Sequence, residues 1–133
     1  MIKPHLSLVK STNSKDYVTV STVRQFTVIS DEPIAIEGTD LGPSPFDLLN
    51  ISLASCTAMY IRNVAKKRQI NIGELNVKIK IVKSEEDDLL FERFISFGNE
   101  LSEEDKLFFL EASTHTPVTQ IISNNQKINT TIL

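Results

Sequence analysis

Apolar residues along this chain recur in two rhythms. Between residues 45 and 67 they fall at helical spacing: Leu49, Leu53, Cys56, Tyr60 and Val64 make one stripe, and Leu48, Ile51, Ala54, Ala58, Ile61 and Ala65 a second. Ser44 followed by Pro45 supplies an N-cap and a first helical residue, so the pattern predicts a helix from about Pro45 to about Lys67. Two apolar stripes predict burial on two sides. Ser52, Ala54, Ser55 and Ala58 are small enough to let another element approach closely, and so short a chain has little of its own to cover both faces. A second subunit is therefore expected over one of them.

The other rhythm is alternation. Leu75, Val77, Ile79 and Ile81 alternate with Asn76, Lys78 and Lys80, which predicts a half-buried strand. The acidic run Glu85–Asp88 predicts a turn, and Leu89 to Phe97 a returning strand whose apolar row of Leu89, Phe91, Ile95 and Phe97 also contains Arg93. Earlier, Ile2 to Val9, Tyr17 to Val20 and Phe26 to Ile29 read as a three-stranded meander, with Ser11–Asp16 as a polar turn. Gly38 to Pro45 is punctuated by two glycines and two prolines, so it predicts a loop. Ser102 with Asp105 predicts a capped helix to about Ser113; Thr116-Pro117 predicts a short helix to about Ile122; Gln126 to Ile132 predicts a last strand. With no repeat and no linker, residues 1–133 are expected to form one α+β domain, an antiparallel sheet with a long buried central helix.

Composition narrows the function. A net charge of −3 and a pI near 5.4 argue against nucleic-acid binding, and Lys66-Lys67-Arg68 reads as a helix C-terminus. No apolar run approaches the roughly 20 residues of a membrane span, and Met1–His5 lacks the apolar core of a signal peptide. A single cysteine among 133 residues supports no internal disulfide framework. A reducing, cytoplasmic setting is expected. His5 and His115 show no metal-ligand spacing, and Gly38 and Gly42 fit neither a dinucleotide nor a phosphate loop, so no metal or cofactor is expected.

Candidate chemistry centres on Cys56. In one reading it is a reactive thiolate; in the other it is a small hydrophobe within an apolar stripe. A free thiol titrates near pH 8.5, so reactivity at neutral pH needs a nearby cation. Cys56 lies about three turns into its helix, beyond useful reach of the N-terminal dipole. Arg24 and Arg93 are the candidate cations. An unpaired guanidinium in an apolar strand row is costly, so Arg93 either meets an anion (Asp47 or the Cys56 thiolate) or extends to solvent.

The run Asp31-Glu32-Pro33, the turn Gly38-Thr39-Asp40-Leu41-Gly42-Pro43-Ser44-Pro45-Phe46-Asp47-Leu48-Leu49 and the helical Ala54-Ser55-Cys56-Thr57-Ala58-Met59 resemble the central signature of the OsmC/Ohr family (osmotically inducible protein C and organic hydroperoxide resistance proteins), in its YhfA-like branch. The Pro45-to-Cys56 spacing, the later Pro117-Val118 and the order of elements resemble that family over essentially the whole chain. The resemblance implies an intertwined homodimer with sites at the subunit interface. It implies that Cys56 is the peroxide-attacking thiol, with Arg24 and Asp47 the arginine and carboxylate that polarise it. The family's second cysteine precedes the Pro-Val pair; here that position is Thr116, which serves as an N-cap but removes the resolving thiol.

Two functions follow as expectations. One is a one-cysteine organic hydroperoxide reductase, acting in oxidative stress and recycled by an external thiol, with Phe46, Leu49, Leu53, Tyr60 and Thr116 forming an apolar substrate site. The alternative is a non-catalytic member of the fold that binds an apolar small molecule. Sensing through a Cys56–Cys56 disulfide between subunits is a third.

Overall fold

The computed structural model describes residues 7–133, and the chain divides into two compact units. The first takes in the described residues up to Ile51 and the second runs from Ser52 onward, so the division falls inside the long helix.

In the first unit, β1 (Val9–Lys15), β2 (Val18–Val23) and β3 (Phe26–Ser30) form an antiparallel meander in that order. The expected turn at Ser11–Asp16 is instead mostly strand. Ser11 faces Ser21, with their hydroxyls 2.7 Å apart, and Thr12 faces Val20, so cross-strand partners override the polar composition. The chain reverses only at Asp16-Tyr17, where the Asn13 amide donates to the Asp16 and Val18 carbonyls. Of the strand expected at Ile2–Val9, residues 2–6 lie outside the described region, and the paired strand begins at Val9.

After β3 the chain turns through a 3₁₀ turn (Ile34–Ile36) and folds back on itself around Asp31. This buried carboxylate accepts from the Glu32, Thr39 and Leu41 backbone N–H groups and from the Thr39 hydroxyl, the last at 2.6 Å. Close approach explains Gly42: a Cβ there would lie 2.2 Å from the Ile29 carbonyl oxygen. The helix α1 (Pro45–Arg68) then starts on a reciprocal cap. The Asp47 N–H donates to Ser44 Oγ at 3.1 Å, and the Ser44 N–H donates to Asp47 Oδ2 at 2.9 Å.

In the second unit α1 buries one stripe, Leu53, Thr57, Ile61 and Ala65, at four-residue spacing. Next come β4 (Leu75–Lys83) and β5 (Leu89–Phe97), an antiparallel hairpin in which Ile81 faces Phe91, Ile79 faces Arg93 and Val77 faces Ile95. Two helices close the unit, α2 (Glu103–Ser113) and α3 (Pro117–Ser123). Ser102 caps α2 by accepting from the Asp105 N–H. Ile61, Ala65, Ile72, Leu101 and Phe109 form the core, with the Phe97 and Phe109 ring centroids 5.3 Å apart. Burying such side chains stabilises by roughly 1.5–3 kcal/mol each.

The architecture is α+β with antiparallel sheets and a long central helix, as the apolar rhythm predicts. One expected element differs. Gln126–Ile132 forms no strand and is exposed throughout. Alternation alone does not make a strand; the backbone needs a ladder partner, and within this chain it finds none among the described residues.

Candidate functional site

Cys56 is a free, partly buried thiol on the helical turn where α1 meets the β5 side of its unit. Its neighbour Thr57 is fully buried and donates its hydroxyl proton to the Leu53 carbonyl at 2.7 Å. That hydrogen bond leaves the oxygen's lone pairs facing inward.

They meet Arg93. The guanidinium turns inward from β5. Its Nη1 donates to Thr57 Oγ1 at 3.1 Å and to Thr119 Oγ1 at 2.8 Å, and its Nη2 to the Ser113 carbonyl at 2.9 Å and Ser113 Oγ at 3.3 Å. One side chain thus joins β5 to α1, to the end of α2 and to α3. Neither fate expected for Arg93 describes these contacts: the guanidinium is not extended to solvent, and the oxygens it donates to belong to Thr57, Thr119 and Ser113 rather than to Asp47 or Cys56.

Every one of those acceptors is neutral. The ion pairs among the described residues are Lys80–Glu92, Lys83–Asp87 and Lys106–Glu103, at exposed or partly exposed positions, and none includes Arg93. Burial pushes the Arg93 pKa below its ordinary value, and the charge of Cys56 acts in the opposite direction. Arginine stays protonated under any physiological condition, so the guanidinium carries its full charge beside the turn that bears the thiol.

A cleft of about 290 Å³ opens on this side of the unit, lined by Leu53, Leu90, Phe91, Arg93, Thr119 and Ile122 among others. A larger hollow of about 470 Å³ lies between β5 and α2, with Phe97, Leu101 and Phe109 in its wall and Arg93 at its edge. Leu53 is therefore buried at a cleft beside the guanidinium, and Tyr60 is partly buried one turn beyond Cys56. Thr116 is fully buried as the N-cap of α3; it accepts from the Thr119 N–H at 3.2 Å, and its hydroxyl lies 2.6 Å from that of Thr119.

The remaining sequence candidates belong to the first unit and have their own partners there. Arg24 occupies the tight β2–β3 turn at a φ of 51°, its guanidinium carbon 5.0 Å from the centre of the Phe26 ring. Asp47 is engaged in the α1 cap. Phe46 and Leu49, expected to line a substrate site, are exposed within this single chain, Phe46 by 58%.

Sequence reasoning missed Thr57, Ser113 and Thr119. The available signal was Arg93 itself: a cation in an apolar row demands acceptors, and buried hydroxyls on facing helices supply them without a second charge. Among the described residues, no group of three or more His, Cys, Asp or Glu side chains could hold a metal ion, and no helix is long and apolar enough to cross a membrane.

Comparison with known proteins supplies the family. No curated protein matches the sequence. Several crystal structures share its fold. One, from Psychrobacter arcticus 273-4 and named for an osmotic stress induced and detoxification response, is 26% identical over 90% of each chain, with a TM-score of 0.74. An OsmC-like protein from Mycoplasma pneumoniae is 19% identical over 91% of this chain and 89% of its own, at a TM-score of 0.71. The organic hydroperoxide resistance protein OhrB of Bacillus subtilis is 18% identical over 91% of this chain and 93% of its own, at 0.67. The family model described as OsmC-like protein matches residues 38–131, from the Gly38–Pro45 turn through the helix that bears Cys56 and into the tail, and the chain belongs to that family.

Proposed function

We propose that this chain is a one-cysteine, thiol-dependent organic hydroperoxide reductase, a homodimer whose 133 residues make one OsmC-like domain per subunit. The observation that carries the proposal is the charge at Arg93: a half-buried guanidinium held by neutral oxygens, its hydrogen-bonded partner Thr57 next in sequence to Cys56. Membership of the OsmC-like family and the fold shared with an organic hydroperoxide resistance protein support the choice of substrate.

The Cys56 thiolate attacks one oxygen of the peroxide group. The O–O bond breaks, Cys56 becomes a sulfenic acid, and the departing alkoxide takes a proton to leave as an alcohol. With Thr116 in place of a second cysteine, a small external thiol condenses with the sulfenic acid, releasing water and forming a mixed disulfide. A second thiol then releases Cys56 and carries away the oxidised pair. Arg24 and Asp47, the residues matched by family resemblance, are kept in this reading as contributors to the polarisation of the thiol. Phe46, Leu49, Leu53, Tyr60 and Thr116 form its apolar surroundings, and the exposure of Phe46, Ile51 and Met59 favours their cover by a second subunit. A lone free thiol suits the cytoplasm.

The test is the intact mass of reduced protein after brief exposure to an alkyl hydroperoxide, alongside Cys56→Ser. Gain of one oxygen on the unsubstituted protein alone supports the proposal; an unchanged mass sinks it. Burial of Thr116 as a helix cap favours a second reading, a small-molecule-binding protein with no turnover. Under that reading native mass spectrometry of protein isolated from cells shows a retained ligand and Cys56 stays unmodified by peroxide.

A further inference from the structure

We propose that Thr119, steadied by Thr116, is a positioning residue that holds Arg93 toward the Cys56 turn while leaving its charge uncancelled. The inference rests on the reductase reading, and deepens it by assigning a role to Thr119, a residue outside the proposed surroundings of the thiol.

The argument follows the hydroxyl protons. Thr57 gives its proton to the Leu53 carbonyl at 2.7 Å, and Ser113 gives its own to the Leu110 carbonyl at 2.6 Å. Both oxygens therefore present only lone pairs to the guanidinium. Thr119 has two outlets for its proton, the Thr116 hydroxyl at 2.6 Å and the Ser113 carbonyl at 3.4 Å. The shorter contact, together with the Thr119 N–H bond to Thr116 Oγ1, fixes the Thr119 side chain against the first turn of α3. Its oxygen then takes the shortest of the Arg93 hydrogen bonds, at 2.8 Å.

Both hydrogens on Nη1 and both on Nη2 are thereby engaged, and all by neutral oxygens. A carboxylate at any of these places would hold the guanidinium equally well in geometry and cancel its field. Four hydrogen bonds to uncharged groups do the opposite: they immobilise the cation and leave its charge to act on Cys56, the group whose charge bears on Arg93 in turn. Thr116, where relatives in the resemblance carry a second cysteine, supports this arrangement through Thr119.

The experiment reads the rate of Cys56 alkylation by iodoacetamide, a neutral probe, between pH 5 and 10 on the reduced full chain. The variants are Arg93→Met, Thr119→Val, Thr119→Ser and Thr119→Asp. Arg93→Met is expected to displace the profile to higher pH, with alkylation at pH 7 slower by roughly threefold to tenfold. Thr119→Val should follow it in the same direction, and Thr119→Ser should restore the wild-type profile. Thr119→Asp separates positioning from mere packing, because it keeps an acceptor for Arg93 in the first turn of α3 but adds a negative charge. It should fold, as circular dichroism will report, and still lose the fast alkylation. A wild-type profile in Thr119→Asp, or in folded Thr119→Val, overturns the inference while Arg93→Met still shifts. Identical profiles in wild type and Arg93→Met overturn the role of Arg93 in the reductase reading, and the positioning role falls with it.

Discussion

The Asp31 carboxylate takes three backbone N–H donors and one hydroxyl across a loop with little regular structure. The Thr39 hydroxyl is the largest cause holding its pKa below the ordinary 3.8; burial opposes it, and the backbone donors of Leu41, Glu32 and Thr39 add to the lowering. A folded-state pKa below the unfolded one contributes stability that is present above pH 3.8 and lost as pH falls through the folded value. Asp31→Asn should therefore melt below wild type at pH 7, and the gap should close as the pH drops below 3.8; a gap constant with pH would remove the carboxylate's charge from the account. Gly42 acts by shape instead. Gly42→Ala must push the loop off the Ile29 carbonyl, at a cost on the order of 1–3 kcal/mol in urea denaturation. Neither role shows in the sequence, which presents Asp31 and Gly42 only as parts of a signature. Arg93 was visible as an anomaly, yet its acceptors come from α1, α2 and α3, and no local pattern joins positions 57, 93, 113 and 119.

At the scale of elements, those with chemical punctuation were legible. Ser44-Pro45 starts α1, Ser102 starts α2 and Thr116-Pro117 starts α3, each where the cap residue predicts. The turn expected at Ser11–Asp16 is mostly strand because Ser11, Thr12 and Asn13 are paired across to β2, information that lies up to ten residues away in the chain. The α1 cap yields a measurable expectation. Ser44→Ala should cost about 1 kcal/mol, read by chemical denaturation. Asp47→Asn, which keeps an acceptor oxygen, should preserve most of that stability while slowing peroxide oxidation of Cys56 if the carboxylate also polarises the thiol. Unchanged oxidation would confine Asp47 to capping.

For the whole molecule, the unpaired tail and the open α1 face point the same way. Ile51 and Met59 on α1 and Ile128 and Ile132 in the tail leave large apolar surfaces in contact with water in the single chain. Removing residues 126–133 should convert the proposed dimer to monomer in sedimentation equilibrium; a truncated chain that still dimerises would relieve the tail of that role. The sequence hinted at this through the two stripes of α1, but which strand meets which partner is not written in one chain's alternation.

The division between the two compact units falls within α1, after Ile51, rather than in a linker. A helix cannot be half melted cheaply, since a fresh end exposes unsatisfied peptide groups. Damage to the Asp31 loop should therefore travel down the helix toward the turn that carries the thiol. Heat capacity scans should register one transition, in which the α1 turn that bears Cys56 melts together with the meander. In such a molecule the lifetime of the folded Cys56 turn is governed by the least stable segment attached to its helix, however far along the chain that segment lies.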